Sequence, residues 1–276
     1  MQVTLPAIAF GGSAGEYPLP VAVDGWDRWF RAVALGGSGH YAAAATELHR
    51  IAITSTDVVL RSLAASTRAA HLRQGGEHFR AVHHDAHALA LLATPVAGSD
   101  SATIAGPRVS AWCDALTGLA ADDLGRGMFG AAARLLDRVD ALLIDSHERI
   151  EGSSEWVWHG RPALRSLWVR AELAMYSGDP ETAEERAAAA LVVARRCPSQ
   201  RHLIKTELIA AAAAASAGET TRAIEGAQRV GDAAAFAGQL PLWWASAMLL
   251  EALGAGGSPS AADLRHELAA RGGAMR

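Results

Sequence analysis

The stretch AELAMYSGDPETA, residues 171–183, contains the pattern that decides the fold. Ala171 stands seven positions before Gly178, and Ala183 stands five positions after it. Asp179 is a residue type that caps helices, and Pro180 is favoured at a first helical position. We therefore predict a helix that ends before Gly178, a tight turn, and a second helix that begins at Pro180.

The same pattern recurs along the chain. An alanine follows five positions after each of six glycines, Gly39, Gly76, Gly127, Gly178, Gly218 and Gly257. The residue seven positions before the glycine is alanine in the first five and Leu250 in the last. Successive glycines are 37, 51, 51, 40 and 39 residues apart, which is typical of stacked helix pairs. We predict antiparallel helix pairs with left-handed turn glycines and with small residues buried where paired helices touch.

Apolar periodicity and the breakers between segments give the helix boundaries. The predicted helices cover residues 25–35, 40–52, 56–73, 77–93, 109–124, 129–149, 163–176, 180–196, 200–217, 220–237, 241–253 and 259–271. Asp24 is the expected cap of the first of these helices and Ser258 that of the last. Two linkers, 94–107 and 151–162, account for the two 51-residue steps.

The proline and glycine content divides the chain into three parts. Residues 1–23 contain Pro6, Pro18, Pro20 and several glycines, so we expect an extended or mobile leader there. Residues 24–271 form one helical-repeat domain, and residues 272–276 form a short tail. The fold class predicted for the chain is all-α.

Composition excludes several classes of function. The chain has 276 residues, of which 50% are hydrophobic and 20% charged, as in a folded protein. A net charge of -4 gives no electrostatic case for nucleic acid as a partner. No apolar run is long enough to cross a membrane, and the N-terminus has no basic region of a signal peptide. We therefore expect a cytoplasmic protein with no membrane partner; the oligomeric state is left open.

The repeat spacing resembles that of the tetratricopeptide repeat. That family's motif has a small residue in the first helix, a turn glycine, an aromatic residue two positions later, and an alanine in the second helix. Tyr41 and Phe129 match the aromatic position, whereas His78, Pro180 and Thr220 do not. The resemblance implies a right-handed superhelix of about six antiparallel helix pairs.

The same resemblance implies a concave face that binds a protein or peptide partner. The groove-facing positions carried over to this sequence are Trp26, Trp29, Leu63, Ser66, Arg73, Asp114, Thr117, Arg165, Trp168, Glu172, Tyr176, Lys205, Trp244 and Glu251. Aromatic side chains beside arginine, lysine and glutamate have the composition of a recognition surface. The other interpretation is that the tryptophans only fill cores between helices, and composition does not decide between the two.

Three functions follow from these residues. The first is a non-enzymatic interaction or adaptor module of a regulatory system. The second is a sensor domain that closes around a small molecule or peptide. The third is a metal-dependent enzyme that uses His71, His83 and His87. His83 and His87 share one helical face, but no carboxylate or cysteine completes a ligand set. We therefore predict no catalytic residue, no metal and no cofactor, with His83 and His87 exposed.

The segment WVWHGR, residues 156–161, contains the aromatic cluster that is least like the repeats. We expect Trp156 and Trp158 to be buried for stability. Closure over the groove as a lid, or contact with a partner, are the alternatives.

Overall fold

The fold is all-α. The computed structural model describes residues 3–93, 102–146 and 156–274, and these contain thirteen α-helices and no β-strand. The helices are α1 (Leu5–Phe10), α2 (Gly25–Gly37), α3 (Tyr41–Thr54), α4 (Val58–Gln74), α5 (His78–Ala93), α6 (Ala102–Gly125), α7 (Phe129–Ser146), α8 (Arg161–Tyr176), α9 (Pro180–Ala194), α10 (Gln200–Ser216), α11 (Thr220–Phe236), α12 (Leu240–Ala252) and α13 (Ala261–Ala270).

The first five predicted turns are present. Gly39, Gly76, Gly127, Gly178 and Gly218 have φ of 82°, 80°, 76°, 74° and 80°. These are left-handed conformations that glycine adopts at low cost. Each glycine joins two helices that contact one another, α2 with α3, α4 with α5, α6 with α7, α8 with α9, and α10 with α11.

Small residues are buried where these helices meet, as predicted. In the first four pairs the two alanines of the pattern are inaccessible to solvent: Ala32, Ala44, Ala69, Ala81, Ala120, Ala132, Ala171 and Ala183. Helices with alanine at the contact approach more closely than helices with large side chains. The amides of Asp27 and Thr182 donate to the side chains of Asp24 and Asp179, so both predicted caps are confirmed.

The last helix pair departs from the prediction. Gly254 rather than Gly257 has the positive φ, at 73°, and α13 begins at Ala261. Its cap is Ser260 rather than Ser258. The Ser260 hydroxyl accepts from the Asp263 amide at 3.2 Å, and the Asp263 carboxylate accepts from the Ser260 amide at 3.0 Å. This reciprocal capping box satisfies two amides at once and moves the start of the helix.

The helices that begin each pair follow one another in space. Helix α2 contacts α4, α4 contacts α6, α6 contacts α8, α8 contacts α10, and α10 contacts α12. The first and last pairs also meet. Tyr41 of α3 shares one apolar cluster with Leu240 of α12 and with Leu264 and Leu268 of α13. The series of helix contacts is therefore closed end to end.

The N-terminal segment is more ordered than the leader expected for residues 1–23. Leu5, Ile8, Ala9 and Phe10 are buried, and α1 contacts α2. The Arg31 side chain donates to the carbonyls of Leu19 and Pro20. The proline and glycine content indicated an irregular segment, but the apolar side chains of α1 give it a face that is buried against the domain.

The two linkers are partly helical. Helix α6 begins at Ala102 and contains Pro107, although that proline was predicted to end the linker before a helix at 109. Residues 156–160 form a π-helical turn that leads directly into α8. The remainder of both linkers, 94–101 and 151–155, lies outside the described residues, as do residues 147–149 of the predicted 129–149 helix and residues 275–276 of the tail.

Candidate functional site

A cavity of about 750 Å³ lies inside the closed series of helices. Its walls come from the first helix of every pair, that is α2, α4, α6, α8, α10 and α12, together with Phe10 of α1 and His78 of α5. The volume is within the range of pockets that hold small organic ligands.

Eleven of the fourteen predicted site residues line this cavity: Trp29, Ser66, Arg73, Asp114, Thr117, Arg165, Trp168, Glu172, Tyr176, Lys205 and Trp244. The other three lie elsewhere. Leu63 is in the core with only 1% of its surface exposed, and Trp26 packs against Trp29 and Trp158. The Glu251 carboxylate accepts from the Ala261 amide at 2.7 Å and so holds the start of α13. A binding role for the eleven stays a prediction.

Four rings form a continuous aromatic row along the cavity wall, composed of Trp29, Phe10, His202 and Trp168. Neighbouring ring centroids are 5.4 Å, 6.0 Å and 5.6 Å apart. The indole N–H groups of Trp29 and Trp168 donate to Thr67 and Thr206 at 3.0 Å and 2.9 Å. Because both tryptophans are anchored in this way and almost fully buried, they are rigid wall residues as well as core residues.

The π-helical turn covers the outer side of this row. Trp158 stacks on Trp29 at 5.8 Å, and the Trp156 indole N–H donates to the Phe10 carbonyl at 2.9 Å. Both side chains are half-buried among the core residues around α1 and α2. This agrees with the structural role expected for the segment.

Two arginines converge on one carboxylate beside the row. Asp114 accepts from the Arg161 Nη1 and Nη2 atoms at 2.9 Å and 2.6 Å, and from the Arg165 Nη1 atom at 2.6 Å. Burial alone would raise the pKa of Asp114, but the two guanidinium groups outweigh it and hold that pKa below its ordinary value. The Arg161 guanidinium also lies over the Phe10 ring, 5.2 Å from its centroid.

Arg201 of α10 is the third arginine of this group and has no carboxylate partner. Its Nη1 and Nη2 atoms donate to the carbonyls of Val33 and Ala9 at 3.3 Å and 3.4 Å, both long contacts. No acidic side chain among residues 3–93, 102–146 and 156–274 lies within salt-bridge distance of it. Burial, with the charges of Arg161 and Arg165, lowers the pKa of Arg201 to about 10.

A separate buried cluster lies further along the wall. The Arg73 Nη1 atom is 2.7 Å from Asp85 Oδ2 and 2.9 Å from Asp122 Oδ2, and it also donates to the Gly118 carbonyl. Burial raises the pKa of the Asp85 carboxyl to about 6, against the lowering effect of Arg73. His78 Nδ1 lies 3.3 Å from the other Asp122 oxygen.

The cavity rim carries a weaker ion pair. Lys205 Nζ is 3.7 Å from the Glu172 carboxylate and 5.8 Å from the centroid of the Trp168 ring. Tyr176 is 67% exposed, so its ring is available at the rim rather than inside.

The three histidines proposed for a metal do not come together. His71 is buried on the cavity wall, whereas His83 and His87 are exposed on α5. Burial, with the charges of Arg68 and Arg201, lowers the pKa of His71 to about 3. A Cβ atom at Gly36 would lie 2.0 Å from His71 Nε2, so α2 can approach this ring only with glycine there. Within the described residues no group of three or more histidine, cysteine, aspartate or glutamate side chains could hold a metal.

Four residues that line the cavity were not predicted from the sequence: Phe10, Arg161, Arg201 and His202. Phe10 and Arg161 lie in segments predicted to be a leader and a linker. Arg201 and His202 lie in the first turn of α10, and the family register gave no groove position there. The apolar spacing of residues 5–10 and the clustering of arginine near Trp156 and Trp158 were the available signals.

None of the helices in the described parts of the chain is long and apolar enough to cross a membrane. No protein-family model matches this sequence, and no curated protein matches it.

Proposed function

We propose that this chain is a tetratricopeptide-like repeat protein, a right-handed superhelix of six helix pairs, that binds a small organic ligand in its central cavity. Short turns between contacting helices support the antiparallel pairs, and the succession of first helices supports the superhelix. The contact between the first and last helix pairs, whose first helices both line the cavity, is the observation that carries the functional part. A groove open at both ends accepts an extended peptide, whereas a cavity bounded by the first and last pairs favours a compact ligand.

The contacts between the first and last helix pairs support this assignment. The Arg271 guanidinium, after α13, donates to the Ser38 carbonyl at 2.9 Å, and a Cβ at Gly39 would lie 2.7 Å from Leu268. Phe10 closes part of the wall between α2 and α10. The protein would then act as a binding or sensing module of a regulatory system rather than as a catalyst.

The test uses N-phenyl-1-naphthylamine, a neutral dye that fluoresces in apolar surroundings. We expect saturable one-to-one binding to the full chain. Ala212→Phe places a ring in the cavity from α10 and should weaken dye binding about ten-fold or more. Ala189→Phe, at an exposed position of α9, is the matched control and should bind as the parent protein does. Absence of dye binding, or equal binding by Ala212→Phe, would contradict the proposal.

The adaptor function is a second candidate because large apolar side chains are exposed on the outer surface. Phe236 at the end of α11 is 92% exposed and Tyr17 is 74% exposed. Both flank one contact between distant chain segments. Gly15, two residues before Tyr17, packs against the backbone of Ala237, the residue after Phe236. A photo-crosslinking residue at 236 should give one defined adduct in cells if this surface binds a protein, whereas the same residue at 189 should not.

A further inference from the structure

At the end of the cavity wall nearest α1, positively charged side chains outnumber the negatively charged ones. Arg161 and Arg165 share the single carboxylate of Asp114, and Arg201 beside them has only backbone carbonyls as partners. Within the described residues, Asp114 is therefore the one carboxylate that is paired with this group of three arginines, although Asp85 also acts on Arg165 from further away. The opposite imbalance occurs around Arg73, which has two carboxylates, but those carboxylates are not among the charges that act on Arg201.

This arrangement destabilises the charged form of Arg201. Arg201 is half-buried, so its guanidinium group loses part of its water, and such a loss is normally compensated by a carboxylate with ideal geometry. The two carbonyl contacts of Arg201 are at the long end of the hydrogen-bonding range. Repulsion from Arg161 and Arg165 adds to the cost, because both guanidinium groups lower the pKa of Arg201. An anionic group at this position would relieve desolvation and repulsion together.

The surroundings of Arg201 define the rest of the ligand. Residue 201 precedes His202, which belongs to the aromatic row of Trp29, Phe10, His202 and Trp168. Burial and the three arginines keep the pKa of His202 well below its ordinary value, so its ring is neutral at pH 7. An apolar, flat group fits this wall, and a basic group does not, because it would add to the positive charge.

We propose that Arg201 is the anion-binding residue of the cavity and that the ligand is a small organic anion whose flat apolar part lies against the aromatic row. This assignment rests on the proposed function and gives the ligand its chemical class. Arg165, whose side chain is 21% exposed, is the second donor within reach of the anion. Arg161 serves to hold Asp114, since its Nη2 atom also donates to the Ser110 hydroxyl at 2.6 Å.

The experiment compares two dyes that share one skeleton. 8-Anilinonaphthalene-1-sulfonate is the anionic analogue of the neutral N-phenyl-1-naphthylamine and adds a sulfonate group. The wild-type protein should bind the sulfonate about ten-fold more tightly than the neutral dye, which is the usual gain from charge-assisted hydrogen bonds. Arg201→Gln should remove this preference and change the affinity for the neutral dye less than two-fold or so.

Two further variants serve as controls. Arg201→Lys retains the charge and should keep part of the preference for the sulfonate. Arg195→Gln removes an exposed arginine at the end of α9 and should behave as wild type. If Arg201→Gln fails to fold, the test is the comparison of wild type with Arg201→Lys. A smaller preference for the sulfonate in Arg201→Lys supports the assignment, and an unchanged preference overturns it.

The possible failures are distinct. Equal affinity of the wild-type protein for both dyes, or a sulfonate preference that survives Arg201→Gln, would overturn the anion site and leave the cavity proposal intact. Binding of neither dye would overturn both proposals. Loss of the preference in Arg195→Gln would show that the sulfonate binds through surface charge, and this also overturns the assignment.

Discussion

The backbone amide of Ala42, in the first turn of α3, donates to the carbonyl of Arg271 after α13 at 3.1 Å. These residues belong to the first and last helix pairs. The contact is supported from the side by the cluster of Tyr41, Leu240 and Leu268. An array of helix pairs is normally stabilised only by neighbouring repeats. Here the ends contribute an additional interface.

Two glycines allow a test of this interface by substitution. Gly272 and Gly254 follow α13 and α12, with φ of 88° and 73°. A Cβ at Gly272 would lie 2.6 Å from the Ala42 Cβ and 2.9 Å from its nitrogen, whereas a Cβ at Gly254 has nothing within 4 Å. Gly254→Ala should cost about 1–2 kcal/mol from backbone strain alone. Gly272→Ala should cost about 1 kcal/mol more, because the last pair must move away from α3.

Urea denaturation of the two variants gives this difference directly. Equal free energies of unfolding would mean that the first and last pairs are not in contact.

The close approach of α8 and α9 predicts the result of enlarging Ala171. This residue is fully inaccessible, so Ala171→Leu should lower the free energy of unfolding by about 1–3 kcal/mol through overpacking. Ala188→Leu, at an exposed position of α9, should change it by less than about 0.5 kcal/mol. An unchanged melting temperature for Ala171→Leu would contradict the helix contact.

Trp168 is expected to affect stability as well as binding. The sequence left open whether this ring lies on a groove or fills a core. In the structure Trp168 is only 9% exposed and lies in the core between α8 and α10. Trp168→Ala should therefore destabilise the protein by about 3–5 kcal/mol.

A milder variant separates the two roles of Trp168. Thr206→Val leaves the Trp168 ring in place and removes the hydroxyl that accepts from its indole N–H and donates to the His202 carbonyl at 2.7 Å, and it should cost about 1–2 kcal/mol in denaturant titrations. Native-like stability of Trp168→Ala would show that the ring belongs to a groove rather than to the core.

The buried carboxyl of Asp85 should make the free energy of unfolding depend on pH. Burial raises the pKa of its carboxyl from 3.8 to about 6, so the folded state holds the proton more tightly than the unfolded state does. The stabilising contribution is present in full below about pH 4 and is lost as the pH rises from about 4 to about 6, on the order of 3 kcal/mol. Asp85→Asn has no such proton to lose, so the corresponding part of the slope should be absent. Identical slopes between pH 4.5 and 7 for both proteins would contradict a raised pKa.

Much of the fold could be predicted from local signals. Asp24, Asp179 and the turn glycines act within a few residues, so their effect is visible in the sequence. The start of the last helix was predicted two residues too early because two serines compete as caps, and only Ser260 has an acidic partner three positions on. The neighbouring Ser258 has the same residue type but lacks that partner.

The site was predictable only on the first helices of the pairs. Trp29, Arg165 and Trp168 line the cavity because first helices face inward at regular positions. Phe10 lines it because its ring contacts Trp29 of α2 and His202 of α10, and no periodic pattern records that contact. The unpaired charge of Arg201 depends on distances between three helices, which a single sequence does not contain.

The central claim is that the first and last helix pairs meet, so that the cavity lies within a closed series of helices. Spin labels on cysteines introduced at Ala43 of α3 and Ala262 of α13, both exposed, test it by pulsed electron–electron double resonance. The half-buried Cys197 is replaced by serine, and the buried Cys113 is retained. We predict a single narrow distribution of short distances between the two labels. A broad distribution, or one centred at the long distances of an open array, would contradict the account.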